Sequence, residues 1–521
     1  MSRPKARPKK RSADKKFEIY FYACVVMFFI LLAIILYYSF GYKYNINNGK
    51  TVQVGAIIIK TEPVKSDLYI NGELLKNNIL GNLFSDYTKM ENLNPEIYNV
   101  RIEKNNYFSW EKNIAVQGGY ITELKNIVLL KNNYKREVLL NGIVTNTESP
   151  PRRSLLAEDC DEKTRNPLRS SAEKPQRGGT NTEKNNVWES NHKNKIAYQK
   201  MDEGKLNISI FNLKNGKENA AINLDILSLE NCQNYSFDNI VWSNDDLKII
   251  LRINCDENYS RYLIDLENKN RIYKLDAILN PDEEIERDWN FYFDESLFYL
   301  KNNSLYKFDC NKLKSEKIAV NISGFSIIGN RAYYFETDDN NLYSINYSEP
   351  SAPKKIFTMN ANFNSNLPSK IIRSDKNTYL ILSKSGNLYF VNENNKILFI
   401  NSFVKNAYFS NNDKRIAYNN DREIWIYYIY EKIAQPSKKE GANELITRYS
   451  GIINNIFLYK DEEHLFYKEG DILKFIELDD RDKVNVFSIL ELKNDDIFYS
   501  RIDNAIYFAE NNKLLQIELD E

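Results

Sequence analysis

One paired phrase recurs eight times between about residue 188 and the C-terminus of this chain. A short apolar run rich in aromatic residues is followed by a few polar residues, and then by a second run of the form Leu-Tyr-x-Ile-Asp. The first runs occupy residues 195–198, 248–251, 297–300, 332–335, 378–381, 415–418, 464–467 and 505–508. The second runs occupy residues 208–211, 262–265, 305–309, 342–346, 388–392, 424–427, 472–476 and 514–518. A period of about 40–45 residues predicts an architecture of repeated units that pack against one another.

Each run has the composition of a β-strand. β-branched and aromatic residues dominate the runs, and Asn, Asp and Lys bound them, so the first runs are predicted to be buried strands. The second runs alternate more regularly, which is typical of a strand with one wetter face. Polar turns such as residues 243–246 and 410–413 precede first runs. The length of a unit matches a four-stranded blade, so the sequence predicts a β-propeller. A sandwich of short strands is the alternative, but it does not require one phrase to return eight times.

The number of units predicts how the ring closes. Eight units over about 335 residues give roughly 42 residues for each unit. The last unit reaches Glu521 after its third strand, and a propeller must shield its strand edges. The apolar segment 136–144 precedes the first repeat and is predicted to supply the missing strand. This closure would make an eight-bladed ring, with seven blades as the alternative.

Two phrases carry a resemblance, residues 241–249 (Val-Trp-Ser-Asn-Asp-Asp-Leu-Lys-Ile) and residues 409–418 (Phe-Ser-Asn-Asn-Asp-Lys-Arg-Ile-Ala-Tyr). Through them residues 187–521 resemble the blades of the Tol-Pal periplasmic propeller family and the WD-repeat-like propellers of prolyl oligopeptidases. The family usually has Ser-Pro-Asp-Gly at this turn, whereas here Asn replaces Pro and the Gly is absent. The resemblance implies the propeller fold and does not imply a ligand.

A hydrophobic segment near the N-terminus predicts a membrane anchor. Residues 19–40 are 22 residues without a charge, and a helix of that length spans roughly 33 Å, enough for a bilayer core. Tyr20, Tyr22, Tyr37 and Tyr38 lie at its two ends, where interfacial aromatic residues are common. A cleaved signal peptide is the alternative, although its apolar region is usually shorter and is followed by small residues. We predict an uncleaved transmembrane helix over residues 17–41.

The charges that flank this helix predict its orientation. Residues 1–16 carry eight Lys and Arg side chains, whereas only Lys43 and Lys50 follow the helix closely. The positive-inside bias therefore places a basic tail, residues 1–16, in the cytoplasm and the bulk of this single-pass chain outside the cell membrane. Over the whole chain 71 basic and 71 acidic residues cancel, so no nucleic acid partner is expected.

Residues 54–130 are predicted to form a separate small β-sandwich. Asn71-Gly72 follows an alternating run and is a strong hairpin signal. The stretch resembles the PEGA domain family, and the matching residues are Thr61-Glu62-Pro63, Tyr69-Ile70-Asn71-Gly72, Leu93, Pro95, Tyr98, Val100, Ile102, Lys104 and Tyr107. The family usually has glycine where this chain has Glu96 and Asn106. The resemblance implies a module of microbial envelope proteins that binds a surface or acts as a spacer.

Two segments connect this domain to the repeats. Residues 131–145 contain the predicted closing strand of the propeller. Residues 146–186 have mixed charge and almost no apolar periodicity, so they are predicted to be a disordered linker.

The cysteines are few. Cys24 lies in the membrane segment, and Cys160 and Cys310 have no evident partner. Cys232 and Cys255 flank the polar turn of the second repeat, so a hairpin there would bring them close enough for a disulfide. Two buried thiols are the alternative for this pair. The chain has no CxxC motif, so no zinc site is predicted.

The sequence shows no catalytic motif. The two histidines, His192 and His464, have no convincing partner and are predicted to be structural. The chain has no Gly-x-Ser-x-Gly elbow and no phosphate-binding or dinucleotide-binding glycine motif. Acidic pairs at 245–246, 338–339 and 479–480 lack calcium-loop spacing, so no catalytic residue, cofactor or metal site is predicted.

Four tryptophans occupy similar strand positions in their repeats or lie close to them. They are Trp188, Trp242, Trp289 and Trp425. Such residues form an exposed platform for a carbohydrate or peptide, or they pack between blades as core residues. Both interpretations are open at the level of sequence.

These features together predict a non-enzymatic cell-envelope protein. A single helix would anchor it, and the small β domain and the propeller would form a binding platform for an envelope protein or a glycan. One alternative is a glycan-active enzyme, which requires two carboxylates facing each other across the central funnel. A second alternative is a structural component of a membrane assembly.

Overall fold

The computed structural model describes residues 12–519 apart from residues 46–48, 76–86, 144–186, 191–193, 203–204, 214–215, 223–234, 244, 256–257, 268–270, 280–289, 293–295, 311, 329, 338, 348–351, 360–368, 375 and 494–496. The predicted linker 146–186 and most of the basic tail therefore lie outside the described residues. The chain divides into two compact units. The first comprises Met1–Asn133, Lys432–Lys438 and Ile476–Phe487, and the second comprises Tyr134–Glu431, Lys439–Phe475 and Ser488–Glu521.

The first unit begins with one long apolar helix, α1 (Ser12–Ser39). From Phe17 onward this helix is long and apolar enough to cross a membrane, and its apolar stretch is not buried by the rest of the protein. A signal sequence meets the same criterion. The helix is capped two residues after its last residue by Gly41, which has a φ of +76° and donates its N–H to the Tyr38 carbonyl at 3.0 Å. Glycine is favoured there because a side chain strains this left-handed cap.

The strands of the first unit form a hairpin and two packed sheets. In chain order the described strands are β1 (Tyr42–Asn45), β2 (Lys50–Gln53), β3 (Gly55–Glu62), β4 (Asp67–Ile70), β5 (Glu73–Leu74), β6 (Thr88–Leu93), β7 (Ile97–Glu103), β8 (Trp110–Ala115) and β9 (Ile121–Val128). β1 pairs with β2, one sheet has the order β6-β3-β9, and the other has the order β5-β4-β7-β8. Both sheets contribute to one apolar core, which includes Ile57, Val100 and Trp110.

The predicted Asn-Gly hairpin is confirmed between β4 and β5. Asn71 and Gly72 have φ values of +50° and +84°, and Ile70 pairs with Glu73 across the turn. Two consecutive positive φ values are the signature of the tight turn that this dipeptide favours.

The second unit contains eight four-stranded sheets, which we number as blades 1 to 8, except that residues 476–477 and 486–487 at the strand ends of blade 7 belong to the first unit. The unit begins with β10 (Glu137–Asn141). Blade 1 consists of β11 (Val187–Glu189), β12 (Lys195–Asp202), β13 (Lys205–Asn212) and β14 (Lys217–Ile222). Blade 2 consists of β15 (Tyr235–Trp242), β16 (Lys248–Cys255), β17 (Asn258–Asp265) and β18 (Ile272–Lys274), and the short helix α2 (Leu275–Leu279) follows it. Blade 3 consists of β19 (Asn290–Tyr292), β20 (Ser296–Lys301), β21 (Ser304–Asp309) and β22 (Lys314–Ala319), and blade 4 consists of β23 (Ile322–Ile328), β24 (Arg331–Glu336), β25 (Asn341–Asn346) and β26 (Lys354–Thr358). Blade 5 consists of β27 (Ser369–Arg373), β28 (Tyr379–Ser383), β29 (Leu388–Val391) and β30 (Ile397–Asn401), and blade 6 consists of β31 (Asn406–Phe409), β32 (Arg415–Asn419), β33 (Glu423–Tyr428) and β34 (Asn443–Arg448). Blade 7 consists of β35 (Ile453–Leu458), β36 (His464–Glu469), β37 (Ile472–Glu477) and β38 (Val486–Glu491). Blade 8 consists of β39 (Ile497–Ser500), β40 (Ala505–Glu510) and β41 (Lys513–Glu518) together with β10.

Strand order identifies this unit as an eight-bladed propeller, as predicted. Blades 1 to 7 each take their strands in chain order. The first strands of neighbouring blades contact each other, β15 with β19, β19 with β23, and β23 with β27. The first strands therefore form the inner wall of the ring, and the fourth strands form its outer edges.

Blade 8 is completed by a strand from before the first repeat. β10 pairs antiparallel with β41, which gives the strand order β10-β41-β40-β39. Directly after β10, the backbone N–H of Ile143 donates to the Asn512 carbonyl of blade 8 at 3.0 Å, and Ile143 also pairs with Lys200 of blade 1. One short segment therefore joins the last blade to the first.

A candidate ligand site inside the propeller

A repeated turn leads from the first strand of a blade to the second. In blade 2 the Ser243 hydroxyl accepts a hydrogen bond from the Lys248 N–H at 2.8 Å, and in blade 6 the Ser410 hydroxyl accepts one from the Arg415 N–H at 3.0 Å. Asp246 and Asp413 occupy the position where the Ser-Pro-Asp-Gly pattern has glycine, and their φ values are +56° and +53°. Aspartate tolerates this left-handed conformation better than most residues, which explains how the turn survives without glycine.

A basic side chain links this turn to the neighbouring blade. The Lys195 ammonium of blade 1 donates to the Asp246 carbonyl of blade 2 at 2.8 Å. The Arg415 guanidinium of blade 6 donates to the Glu462 carbonyl of blade 7 at 2.6 Å. In both pairs a cation at the start of a second strand bonds the carbonyl of a residue with positive φ in the next blade. These bonds fix the spacing of adjacent blades near the inner wall.

Replacing Arg415 with methionine should lower the free energy of unfolding by about 2–3 kcal/mol, because two charge-assisted hydrogen bonds would be lost. The second of these joins Arg415 to the Glu463 carboxylate at 2.5 Å, and both side chains are largely buried, at 10% and 13% exposed. Arg448→Met is the matched control, since Arg448 pairs with Glu423 but is 63% exposed. The control should cost less than about 1 kcal/mol. Urea unfolding of both variants would contradict this view if the two losses were equal.

Four blades converge on one cavity of about 330 Å³. Its walls come from the first strands of blades 1, 6, 7 and 8, from residues next to them, and from the second strands of blades 6 and 7. The lining residues are Glu189, Tyr408, Phe409, Asn411, Ala417, Ile456, Phe457, Leu458, Leu465, Tyr499 and Arg501. Because first strands form the inner wall, this cavity belongs to the interior of the ring.

Tyr408 is the most informative residue of the lining. Its side chain is 42% exposed to water, yet burial raises the pKa of its hydroxyl. A side chain that is surrounded by protein but faces a water-filled cavity would show both the exposure and the raised pKa. Within the described part of the chain, the hydroxyl of Tyr408 makes no hydrogen bond that would occupy it. It is therefore available to a ligand as a donor or an acceptor.

The lining has two charged side chains, and that of Arg501 is held in place by hydrogen bonds. The Arg501 guanidinium donates to the carbonyls of Leu458 and Tyr459 of blade 7 at 3.2 and 3.1 Å, and it lies 3.6 Å from the Glu462 carboxylate. Its side chain remains 22% exposed. Glu189 contributes a half-buried carboxylate from blade 1.

Tyr499 belongs to the framework of the cavity. Its hydroxyl donates to the Asn504 side chain at 2.9 Å and accepts a bond from the Lys460 N–H at 3.2 Å. Burial raises the pKa of Tyr499, so the phenol stays neutral at physiological pH. The ring also stacks on Tyr459 at 5.8 Å. Tyr499 thus supports the wall while Tyr408 faces the open space.

The arrangement suits binding by shape and polarity. Aromatic rings of Tyr408, Phe409 and Phe457 offer apolar contact, and one cation and one carboxylate lie in the same lining. A pocket with a few polar groups among apolar walls orients a ligand through those groups and gains affinity from the walls.

The described tryptophans pack as core residues, the second of the two interpretations open at the level of sequence. Trp188 and Trp242 are only 8% and 5% exposed and belong to one hydrophobic cluster, so they pack in the core and present no ring to a ligand. Trp425 is partly buried, stacks on Tyr418 at 6.2 Å and donates its N–H to Glu423 at 3.1 Å. Trp289 lies outside the described residues. The aromatic side chains that line the cavity are instead those of Tyr408, Phe409, Phe457 and Tyr499.

The described cysteines and the described histidine differ in their surroundings. Cys255 is disulfide-bonded, and Cys232, its predicted partner, lies outside the described residues, as do Cys160 and His192. Cys310 is buried and Cys24 is exposed, and neither is in a disulfide. His464 is buried against Phe475 at a ring distance of 4.8 Å, and its Nδ1 lies 2.7 Å from the Asp461 carboxylate.

The acidic pairs make turn and ion-pair contacts. The Asp245 carboxylate accepts bonds from the Leu247 N–H at 2.9 Å and from the Ser243 hydroxyl at 2.5 Å. Asp480 pairs with Lys438 at 2.8 Å. Asp338 lies outside the described residues. Where side chains are described, no group of three or more His, Cys, Asp or Glu residues is placed to hold a metal ion.

The chain is only distantly similar to known proteins. No protein-family model matches the chain, and no curated protein sequence matches it. Three of the solved structures that it resembles are the Cps50 (Swd1) β-propeller domain of Myceliophteria thermophila (9% identity, 64% of this chain, 95% of that chain, TM-score 0.36), the Dos1 propeller (14%, 64%, 91%, 0.41) and an oligogalacturonate lyase in complex with manganese (12%, 54%, 88%, 0.33). The fold is therefore assigned from strand order and pairing.

Proposed function

We propose that this protein is a membrane-anchored, non-enzymatic binding platform whose propeller cavity takes a segment of a partner protein. The observation that carries the proposal is the convergence of four blades on one aromatic-walled cavity of about 330 Å³. Small-ligand pockets measure about 300–1,000 Å³. The cavity therefore admits a side chain or a short loop, and not a folded domain.

The chemistry of the lining favours a protein segment. Phe409 and Phe457 would cover an apolar side chain, and the Tyr408 hydroxyl would bond a backbone or polar group of the same segment. Tyrosine and arginine are enriched among the residues that dominate protein interfaces. Arg501 is already fixed by backbone carbonyls, so little side-chain entropy is lost when a partner binds near it.

The proposed location is the cell envelope. In this proposal α1 crosses the membrane, the basic tail is cytoplasmic, and the two β units lie outside. The small β domain acts as a PEGA-like spacer or surface binder. Support comes from the Asn71-Gly72 turn and from Asn106, which has a φ of +67° at a position where that family usually has glycine.

A glycan-active enzyme is the competing function. It requires two carboxylates that face each other across the funnel. In the described lining of the cavity the carboxylate is that of Glu189, and the other charged group is the cation of Arg501. The lining therefore supports binding better than paired-carboxylate catalysis.

Photocrosslinking in the native membrane tests the proposed function. A benzoylphenylalanine at position 408 should capture a partner protein several-fold more often than the same residue at position 399. Phe399 is the matched control because it is an aromatic residue on the outer strand β30 and is 55% exposed. Mass spectrometry of the adducts identifies what was captured.

Two outcomes would contradict the proposal. Equal labelling at the two positions would show that the cavity has no preferred occupant. Adducts at position 408 that are removed by glycosidases would assign the cavity to a glycan. Tyr408→Ala should in turn reduce recovery of the captured protein, while Phe399→Ala should leave it unchanged.

A further inference from the structure

Exposed aromatic and apolar side chains surround the C-terminal end of α1. Two lie at the end of the helix, two on the β1–β2 hairpin and two around the start of β9. We call this set the collar, and its members are Tyr38 (62% exposed), Phe40 (65%), Tyr42 (37%), Tyr44 (59%), Tyr120 (68%) and Ile121 (47%). Contiguous exposed apolar side chains of this kind usually mark an interaction surface.

The hairpin is fixed to the helix by side-chain contacts. Only Phe40 and Gly41 separate α1 from β1. The Tyr37 ring stacks on the Tyr42 ring at 5.6 Å, and the Tyr37 hydroxyl donates to the Thr51 hydroxyl at 3.3 Å. The hairpin therefore remains next to the helix end.

The loop that carries Tyr120 is held at the same place. The Val54 N–H donates to the Gly41 carbonyl at 2.8 Å, and the Gly119 N–H donates to the Val54 carbonyl at 2.9 Å. At Gly118 a Cβ atom would lie 2.5 Å from the Gln53 carbonyl oxygen, so only glycine permits this approach. Two backbone hydrogen bonds and one close glycine contact thus link Tyr120 to the end of the helix.

We infer that the collar lies in the interfacial layer of the lipid bilayer, so that the small β domain docks on the membrane surface. The inference rests on the proposed function in one respect, because α1 must be in the membrane. Tyrosine suits this layer because its ring is apolar and its hydroxyl is polar. The layer extends roughly 5–7 Å beyond the hydrocarbon core on each side. A collar attached directly to the end of the apolar helix falls within that depth.

The charge pattern agrees with a lipid surface. Lys43 is exposed between Tyr42 and Tyr44, and it supplies a cation for anionic head groups. The opposite end of the small β domain lies away from the collar. β3 runs for eight residues from Gly55, beside the collar, to Glu62, and this length corresponds to about 26 Å. Val64 follows that far end and is 55% exposed.

Depth-dependent fluorescence quenching tests the inference on the full-length protein. The protein is reconstituted in vesicles of phosphatidylcholine and phosphatidylglycerol that carry bromine either near the head group or deep in the acyl chain. Three variants each add one tryptophan to the native five, namely Tyr120→Trp, Val64→Trp and Phe28→Trp. The signal is the fluorescence gained over the unmodified protein.

The inference predicts a specific pattern. Tyr120→Trp should lose most of its added fluorescence to shallow bromine, Phe28→Trp should lose it to deep bromine, and Val64→Trp should lose none. Quenching of Phe28→Trp without quenching of Tyr120→Trp would overturn the inference and leave the membrane anchor intact. Equal quenching of Tyr120→Trp and Val64→Trp would also overturn it. Absence of quenching of Phe28→Trp would overturn the anchor and the inference together.

Discussion

Replacing Ile143 with aspartate should lower the free energy of unfolding of the propeller by at least about 4 kcal/mol, among the larger effects seen for single substitutions. Ile143 is 1% exposed and belongs to a hydrophobic cluster that includes Tyr198 of blade 1 and Tyr507 of blade 8. Its backbone bonds Asn512 of blade 8 and pairs with Lys200 of blade 1. A carboxylate at this point would be desolvated at the junction that closes the ring.

Thermal unfolding measures the effect and its pH dependence. The melting temperature should fall by on the order of 10 °C at neutral pH. Burial raises the pKa of the aspartate at position 143 in the folded protein above its value of about 4 in the unfolded chain. The loss of stability caused by the charge is therefore complete at neutral pH and disappears as the pH falls to about 4, where both states are protonated. The loss of apolar packing remains at every pH.

A matched control lies on the same segment. Val138 belongs to β10 but is 45% exposed, so Val138→Asp should change the free energy of unfolding by about 0.5 kcal/mol or less. If both substitutions had the same small effect, segment 137–143 would not be needed for closure. The comparison thus separates ring closure from a general effect of a new charge.

The repeats could be predicted from the sequence because their information is local. Each first run, such as residues 415–418, has strand composition and recurs at one period, so neighbouring units must pack alike. The closing segment before the first repeat could be proposed because the last unit has three strands and an unpaired edge is unfavourable. Strand pairing then follows from the simple order of the strands.

The cavity could not be predicted in the same way. Glu189, Tyr408 and Arg501 come from strands that are far apart in the chain, and only the closure of the ring brings their blades together. Composition also misdirects, because tryptophan is favoured both in cores and in ligand platforms. Trp242 lies in the core, whereas the less conspicuous Tyr408 faces the open space.

One local signal for the blade contacts was present in the sequence. Lys195, Lys248 and Arg415 each begin a predicted buried strand. A charged residue at the start of an apolar run needs a partner when it is buried. For Lys195 and Arg415 the partner is a carbonyl of the next blade's turn, and it depends on the relative placement of two repeats, which no single repeat encodes.

Replacing Lys112 with methionine should destabilise the first unit by about 3–5 kcal/mol, the usual cost of breaking a buried ion pair from one side. Lys112 is completely buried in β8. Its ammonium lies 3.0 Å from the Glu477 carboxylate and 3.6 Å from that of Asp479, and it also donates to the Asp479 carbonyl. Glu477 and Asp479 belong to Ile476–Phe487, a later segment of the same unit.

The cost follows from the group that would be left behind. The Glu477 side chain is 4% exposed, and it also accepts bonds from the Trp110 indole at 2.8 Å and the Asn485 N–H at 2.7 Å. Those neutral donors do not balance its charge once the ammonium is gone. Burial opposes ionisation of Asp479, but Arg481 and Lys112 together hold its pKa below the ordinary value. Its stabilising contribution is therefore present at neutral pH and is lost as the pH falls through that lowered pKa.

A double-mutant cycle identifies the buried pair as the cause. Lys112→Met with Glu477→Gln should recover part of the stability lost in the single variant, because the uncompensated carboxylate is removed. Hydrogen exchange of β7 and β8 reports on this unit specifically, and exchange should increase there in Lys112→Met. Lys125→Met is the control, since Lys125 pairs with Glu123 at 2.6 Å but is 41% exposed, and it should cost less than about 1 kcal/mol. Additive effects in the cycle would mean that Lys112 stabilises the unit independently of the Glu477 carboxylate, through its other contacts such as those with Asp479.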